Sequence, residues 1–286
     1  MASEVDRVLH WVVVGGGPTG VELTAELCDF VNGDVKAYFP NLFPRVKISL
    51  IEGSPKVLGT FSPHVSQYAA STLVEQGAEV LCGQFLSEVK DKELTLKDAA
   101  TKEITKKGYG VLVWAGGIGA RPFTRAVANQ IGGPQLSVRK GGGFGPIRGL
   151  KVDSKFKVLG TKDVWAIGDC ALSGAPPTAQ AAYQQGTYLG RLFRSTEFDE
   201  EKLEAAAAFE FHNYGSLAYV GSSRAVADLK MHLWGWDHPA GRGQDVVVEG
   251  NAAFAIWRSL YFSKVLSLRN RAQVVFDWAT SAIFGR

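Results

Sequence analysis

The fold is decided by the stretch Leu9-His10-Trp11-Val12-Val13-Val14-Gly15-Gly16-Gly17-Pro18-Thr19-Gly20. Leu9 to Val14 is a short apolar run rich in β-branched residues, as in parallel strands that are buried on both faces. A glycine-rich turn follows directly, and a helix is predicted from about Pro18 to Phe30. Strand, turn and helix in this order predict a doubly wound α/β unit that binds a dinucleotide.

Each glycine of the turn has a separate predicted task. Gly15 permits the tight turn, Gly17 lets the backbone approach a pyrophosphate, and Gly20 lets the helix pack closely on the strand. The helix amino terminus offers free N–H groups and a partial positive charge to the phosphates, so Pro18 and Thr19 belong to the same predicted site. The alternative is a tight turn that binds no ligand.

Two acidic residues accompany this loop. Glu52 ends the next predicted strand, Val46 to Ile51. Its carboxylate could accept hydrogen bonds from the adenosine ribose hydroxyls and would repel a 2′-phosphate, which favours NADH over NADPH. The separation from Gly15 exceeds the usual spacing of about 20 residues, and the excess is assigned to a loop at residues 32–44. Glu22 could lie near the nicotinamide or equally on the helix surface.

Composition excludes several classes of function. The 286 residues, 46% of them hydrophobic, suffice for one large domain or two ordinary ones. A net charge of +3 does not indicate nucleic-acid binding. Three cysteines without a CxxC pair argue against a redox disulfide or a zinc site, so no metal site is predicted. No apolar run reaches the roughly 18 residues of a membrane-spanning helix, and any targeting signal is expected upstream of Met1.

Further elements follow from periodicity and turn residues. The predicted helices are 62–76, 178–193 and a helical tail from residue 253 that breaks at Arg269-Asn270-Arg271. The predicted strands are 79–81, 111–115, 164–167, 209–212 and 217–220, with a β-meander or a crossover hairpin over 84–109 and a surface loop over 130–149.

Several motifs together resemble the type II (non-proton-pumping, rotenone-insensitive) NADH dehydrogenases, closest to the plant and algal versions. The motifs are Val12–Glu22, Leu50–Leu58, Val164-Trp-Ala-Ile-Gly-Asp-Cys170, Pro176-Pro-Thr-Ala-Gln-Ala-Ala-Tyr-Gln-Gln185 and the tail Trp257–Arg286. The resemblance covers nearly the whole chain. It implies an NADH-binding Rossmann domain (8–115), the carboxy-terminal half of an FAD-binding domain of the two-dinucleotide type (116–195) and a carboxy-terminal membrane-association region (196–286).

The resemblance also implies roles for individual residues. The family transfers a hydride from NADH to FAD and then two electrons to a quinone, and the cofactor carries the chemistry, so no catalytic side chain is nominated. Asp169, after Gly168, would bind the FAD ribityl chain, and a helix amino terminus near Ala179 would face the isoalloxazine. Gly117 is a further cofactor-binding candidate. Gln180 and Gln184, four residues apart on one helical face, would lie beside the flavin and the quinone. The alternatives are Asp169 as a helix cap and two solvated glutamines.

One departure from the family's pattern is large. Only fourteen residues precede Gly15, and the sequence contains no second GxGxxG. Half of the FAD-binding domain is therefore expected to be missing, and the alternative function is a truncated, non-catalytic NADH-binding fragment that cannot hold FAD alone. Other flavoprotein reductases fit less well, because a disulfide reductase needs a CxxC pair.

The tail, residues 253–286, predicts attachment to a membrane surface. From Ala255 onward it has five basic residues and one acidic residue, and its apolar residues recur at spacings of three and four. Such a helix suits the interface of an anionic bilayer, and the alternative is a helix packed on the protein's own domain. The resemblance implies a peripheral protein of the mitochondrial inner membrane, or of another energy-transducing membrane such as the thylakoid, with a homodimer possible.

Overall fold

The computed structural model of the chain describes residues 4–137, 145–230, 245–265 and 267–284. The α-helices are α1 (Glu4–Val8), α2 (Pro18–Phe30), α3 (Lys36–Tyr38), α4 (Pro63–Glu75), α5 (Pro122–Ile131), α6 (Ala179–Thr196), α7 (Glu200–Ala205), α8 (Gly250–Lys264) and α9 (Leu268–Phe284). The strands are β1 (His10–Val14), β2 (Lys47–Glu52), β3 (Ala78–Cys82), β4 (Gln84–Val89), β5 (Glu93–Asp98), β6 (Ile104–Gly108), β7 (Val111–Trp114), β8 (Leu150–Lys151), β9 (Ala171–Leu172), β10 (Ser216–Gly221), β11 (Arg224–Lys230) and β12 (Asp245–Glu249).

The chain divides into two compact units. The first consists of Met1–Gly117 together with Tyr214–Arg286, and the second of Ile118–Asn213. The first boundary lies close to the predicted one at residue 115. The carboxy-terminal segment, however, joins the unit that contains the glycine-rich loop, so the three predicted domains remain a prediction about function rather than a description of these units.

A four-stranded parallel sheet in the order β3-β2-β1-β7 forms the centre of the first unit. Val13 packs on one face with α2 and α4. Val12 and Val14 pack on the other face with Leu94 and Leu96 of the antiparallel meander β4-β5-β6. Both faces of β1 are covered, which explains why its sequence is continuously apolar and does not alternate. The predicted α/β fold, the meander and the span of α2 are confirmed.

Helices α2 and α4 begin with local signals that the sequence carries. Both have proline in the first turn, where the missing N–H is not needed. Ser62 caps α4 by accepting a hydrogen bond from the Val65 N–H at 3.3 Å. The loop predicted over residues 32–44 is partly wrong, because a π-helical turn (Val31–Val35) and α3 extend the chain beyond α2.

The carboxy-terminal part of the first unit is a second small sheet covered by a helix. Strands β10, β11 and β12 form an antiparallel sheet, and only a strand at 217–220 was predicted there. Ala253, Phe254 and Trp257 of α8 pack against residues of β10 and β11. The tail forms two helices, as predicted, but they do not divide at Arg269–Arg271: α8 ends at Lys264 and α9 begins at Leu268. Arg271 instead donates to the Val265 and Ser263 carbonyls at 2.8 and 3.1 Å, so it closes the carboxyl end of α8.

The second unit contains little regular strand. Phe156, Tyr188 and Phe209 form an aromatic cluster with ring centroids 4.8–5.7 Å apart. The predicted strand at 164–167 is wrong, because it forms a single bridge between Trp165 and Lys157, and the predicted strand at 209–212 is irregular. Parallel strands need neighbours to pair with, and the described residues give 164–167 no such neighbour.

The predicted loop over 130–149 is only partly described, because residues 138–144 lie outside the described residues. Within its first part, Gly133–Gln135 form a 3-10 turn. Gln135 is buried and binds the backbone of Lys151 and Leu159 through three hydrogen bonds. That amide therefore fixes the start of the segment to β8.

Candidate dinucleotide site

Two glycines of the loop between β1 and α2 are required by backbone packing. Gly15 has φ +112°, which disfavours any other residue, and a Cβ there would lie 2.5 Å from the Ala115 carbonyl oxygen. A Cβ on Gly20 would lie 1.8 Å from the Gly15 carbonyl oxygen. Both distances are far below van der Waals contact, so the predicted roles of Gly15 and Gly20 in the turn and in helix packing fit the geometry.

Gly17 differs because its surroundings are open. It is the N-cap of α2, with φ −73° and ψ 179°, and no side chain caps the helix. A Cβ added to Gly17 would meet no atom within 4 Å, and Pro18 and Thr19 beside it are exposed. The amino terminus of a 13-residue helix thus faces free space with its backbone N–H groups uncapped, an arrangement suited to a phosphate.

Glu52 lies against this loop, as the sequence predicts for a pair at the carboxyl ends of adjacent strands. Its carboxylate accepts hydrogen bonds from the Gly16 N–H and the Ser54 N–H, both at 2.6 Å. A carboxylate has about four acceptor positions, so two bonds leave capacity for ribose hydroxyls. The Leu58 N–H also donates to the Gly16 carbonyl at 2.7 Å, so the segment after β2 is bound to the loop at Leu58 as well as at Glu52.

Glu22 has a partner that the sequence could not indicate. Its carboxylate accepts a hydrogen bond from the Tyr219 N–H at 3.1 Å, 197 positions away along the chain. Burial raises the pKa of Glu22, and the Tyr219 N–H and the nearby Trp257 indole oppose that rise. Glu22 is therefore held against β10 and α8 rather than solvated on the helix surface, and its relation to a nicotinamide remains a prediction.

In the second unit, the Gly168 turn is held by a residue that sequence reasoning missed. Gly168 has φ +69° and opens a short 3-10 turn, Gly168–Cys170. Its N–H donates to Gln185 Oε1 at 2.6 Å, and Gln185 Nε2 donates to Ser173 Oγ at 3.1 Å. Gln185 is 2% exposed. Gln185 directly follows Gln184 in the sequence, but the predicted helical face included only Gln180 and Gln184.

Asp169 and the start of α6 are accessible. Asp169 and Ala179 are exposed, and the Asp169 carboxylate forms no hydrogen bond with any described residue. The cap of α6 is Thr178, whose Oγ1 accepts from the Ala181 N–H at 3.2 Å. The alternative in which Asp169 caps a long helix is therefore wrong.

The two predicted glutamines are not a solvated pair. Gln184 donates to the His212 carbonyl at 2.8 Å and accepts from the His212 N–H at 3.0 Å, so its amide holds the segment around residue 212. Gln180 is half-buried. Gly117, the last residue of the first unit's amino-terminal segment, has φ +97° and empty space where a Cβ would lie.

The carboxy-terminal helices combine one packed and one open surface. The inner face of α8 is buried, whereas Leu268, Phe276 and Phe284 of α9 are 82%, 67% and 82% exposed. Arg258 of α8 lies over the Trp278 ring of α9 at 4.0 Å and joins the two helices. None of the described helices is both long and apolar enough to cross a bilayer. Arg286 and the Lys264 side chain, counted in the predicted basic cluster, lie outside the described residues.

Comparison with known protein families matches both parts of the chain. Residues 2–186 match the family described as pyridine nucleotide-disulphide oxidoreductase, and residues 213–286 match the NDH2 C-terminal domain. The chain spans about half the length of the relatives it matches. The external alternative NADH-ubiquinone oxidoreductase of Yarrowia lipolytica is 35% identical, over 98% of this chain and 52% of that protein. The internal alternative NAD(P)H-ubiquinone oxidoreductase A1 of Arabidopsis thaliana is 32% identical, over 99% and 53%.

A solved structure supports the fold. The NDH2 of Plasmodium falciparum, solved in complex with NADH, superposes with a TM-score of 0.82 at 24% identity, over 99% of this chain and 67% of that one. Since fungal and plant relatives match at similar identities, the finer likeness to plant and algal members stays a prediction.

Proposed function

The chain belongs to the pyridine nucleotide-disulphide oxidoreductase family and carries the carboxy-terminal domain of the type II NADH dehydrogenases, and from this premise we propose that it serves as an FAD-dependent NADH:quinone oxidoreductase. The observation that carries the proposal is the open amino terminus of α2 at Gly17, with Glu52 bound to the same loop. The names of the relatives, which are NADH- and NAD(P)H-ubiquinone oxidoreductases, supply the reaction class.

The first unit would bind NADH. The backbone N–H groups of Gly17 and Thr19 would face the pyrophosphate, and Pro18 between them would fix the backbone without donating. Glu52 would bind the ribose hydroxyls while keeping the Gly16 N–H in place, and its negative charge would disfavour the 2′-phosphate of NADPH. Glu22 is the candidate for the nicotinamide end, and Gly117 for a backbone approach.

The second unit would contribute part of the FAD site. Gly168 and Asp169 would contact the ribityl chain, and α6 would direct its amino terminus, at Ala179 and Gln180, toward the isoalloxazine. When bound, FAD would accept the hydride of NADH and pass two electrons to the quinone. Gln180 and Gln184 are the quinone candidates, and the bond between Gln184 and His212 would give a quinone-binding residue a fixed orientation.

We also propose that residues 253–286 attach to the surface of a mitochondrial membrane, with the thylakoid as the alternative. The exposed apolar side chains of α9 and the basic residues Arg258, Arg269 and Arg271 suit an anionic lipid interface. Flotation with anionic and with zwitterionic vesicles tests this proposal, since an interfacial basic helix should bind the anionic vesicles more strongly. Self-association into a homodimer is tested by sedimentation equilibrium of the same protein.

An absorbance spectrum of the purified chain with added FAD, followed by NADH and then a quinone, tests the enzymatic proposal. Retained flavin absorbance that bleaches with NADH and recovers with quinone would support a reductase. Absence of retained flavin together with NADH binding would instead support the non-catalytic NADH-binding fragment, a function that the comparisons do not favour.

A further inference from the structure

A chain of polar side chains crosses the first unit at the end of the sheet opposite the glycine-rich loop. His10 begins β1, Ser49 lies in β2, Glu79 in β3 and Lys107 in β6. These residues line a cleft of about 960 Å³. His10 is 8% exposed and Ser49 is 1% exposed. These two side chains therefore lie inside the protein, whereas Lys107 at the other end of the network is accessible.

The hydrogen bonds along this chain are short. His10 Nδ1 lies 2.6 Å from the Gly108 carbonyl oxygen, and His10 Nε2 lies 2.8 Å from Ser49 Oγ. Ser49 Oγ lies 2.7 Å from Glu79 Oε2. Lys107 Nζ lies 2.8 Å from both Glu79 oxygens. Every polar atom of the histidine ring therefore has one partner in fixed geometry.

The protons available to this network of side chains allow two arrangements of its hydrogen bonds. A carbonyl oxygen only accepts, so Nδ1 must carry a proton toward Gly108. Ser49 has one hydroxyl proton, which can go to His10 Nε2 or to Glu79 but not to both. When His10 is neutral, Ser49 donates to Nε2 and Glu79 keeps only Lys107. When His10 is protonated, Nε2 donates to Ser49 and Ser49 donates to Glu79.

Some neighbouring charges raise the pKa of His10 and others lower it. Lys47 on β2 and Lys107 on β6 disfavour a proton there, whereas Glu79 on β3 favours it. The guanidinium of Arg7 on α1 donates hydrogen bonds to Glu4 and to the Tyr109 carbonyl. Burial is the largest influence and lowers the pKa of His10 below its ordinary value, opposed first by the hydrogen bond to Gly108.

We propose that His10, Ser49 and Glu79 form a proton-operated switch at the base of the parallel sheet, in which the protonation state of His10 decides whether Ser49 donates to His10 or to Glu79. His10 joins four strands: its backbone carbonyl accepts from the Gly110 N–H at 2.8 Å next to β7, and its ring reaches β6, β2 and, through Ser49, β3. The switch is independent of the proposed enzymatic function.

The direction of the pH effect follows from proton linkage. A histidine that is harder to protonate in the folded state binds fewer protons there than in the unfolded chain between the two pKa values. Stability therefore rises with pH through that window. It falls as pH drops from the ordinary histidine pKa toward the lower folded value.

Melting temperatures of the full chain between about pH 5 and pH 8 test the switch. The His10→Gln variant keeps a donor near the Nε2 position but cannot titrate, so its melting temperature should fall less steeply on acidification than that of the wild type. His64→Gln is the matched control, because His64 is 70% exposed and pairs with Glu249 at 3.2 Å; it should keep the wild-type steepness. Equal steepness in His10→Gln and the wild type would overturn the proposal.

A spectroscopic test on the folded wild type does not depend on that variant folding. Nitrogen-detected NMR of the imidazole rings should find one histidine with the Nδ1–H form that titrates below the ordinary histidine range. In Glu79→Gln the same resonance should titrate at still lower pH, since the charge that favours the proton is removed. An Nε2–H form, or a midpoint that does not move in Glu79→Gln, would contradict the switch.

Discussion

Two glycine turns carry the residues proposed to bind nucleotides, and different contacts hold them. The Gly15–Gly20 loop follows β1, which is paired on both sides by parallel strands, and close backbone contacts exclude a Cβ at Gly15 and Gly20. The Gly168 turn follows residues 164–167, which form one isolated bridge, and one amide, that of Gln185, holds its first N–H.

The sheet therefore sets the geometry of the first turn, whereas a side chain sets the geometry of the second. In the first turn, the backbone atoms of neighbouring residues leave no room for a Cβ at Gly15 or Gly20. In the second, one side-chain hydrogen bond, from the Gly168 N–H to Gln185, holds a glycine with positive φ. A Cβ added at Gly15 or Gly20 should therefore disturb the first turn, whereas loss of the Gln185 amide should disturb the second.

The largest expected effect is that of Gly20→Ala. Its Cβ would overlap the Gly15 carbonyl oxygen, so helix and strand must separate. We expect the free energy of unfolding to fall by about 3 kcal/mol or more and NADH binding to be lost. Chemical denaturation and NADH fluorescence measure the two effects.

Gly17→Ala is the matched control in the same loop. Its Cβ enters open space, so the free energy of unfolding should stay within about 0.5 kcal/mol of the wild type. NADH should nevertheless bind more weakly, because the methyl group stands where the pyrophosphate would approach. Equal destabilisation by the two substitutions would contradict the claim that backbone packing fixes this loop.

The next effect concerns the second turn. Gln185→Ala leaves the Gly168 N–H without its partner, which costs about 1–3 kcal/mol for a buried group. Hydrogen exchange should accelerate in peptides around residue 168 and not around Gly15. Gln184→Ala should act at residue 212 instead, because its amide binds His212. If both variants accelerate the same peptides, Gln185 is not the specific support of the turn.

The sequence predicted the first of these turns far better than the second. β1 and α2 follow from a continuous apolar run and a proline in the first turn, which are local signals. The strand expected at 164–167 did not form, because strand pairing depends on residues distant along the chain. The Glu22–Tyr219 and Gln135–Lys151 hydrogen bonds also join residues that are distant along the chain. A pattern read over a short stretch of sequence cannot reveal them.

A smaller effect should distinguish the two cofactors at the first site. Glu52→Gln keeps an acceptor for the Gly16 N–H but removes the charge, so the preference for NADH over NADPH should weaken roughly tenfold, equivalent to about 1.4 kcal/mol. Titration with both cofactors measures the ratio. Glu75→Gln, a surface substitution on α4, should leave it unchanged. An unaltered ratio in Glu52→Gln would remove Glu52 from the ribose site.

The smallest effect on stability is expected on α9, where the same contrast recurs between helices. Phe276 is 67% exposed, so Phe276→Ser should change the free energy of unfolding by no more than about 0.5 kcal/mol yet reduce binding to anionic vesicles. Phe254 of α8 packs against the unit's own core, so Phe254→Ser should destabilise the fold. Unchanged vesicle binding in Phe276→Ser would argue against a lipid role for α9.

Calorimetric titration of the intact chain with NADH shows whether the loop between β1 and α2 is a dinucleotide site. We expect saturable binding of one NADH per chain, weaker binding of NADPH, and competition by ADP-ribose, which carries the pyrophosphate and ribose without the nicotinamide. Absence of saturable binding by a folded chain, or undiminished binding by Gly20→Ala, would contradict it.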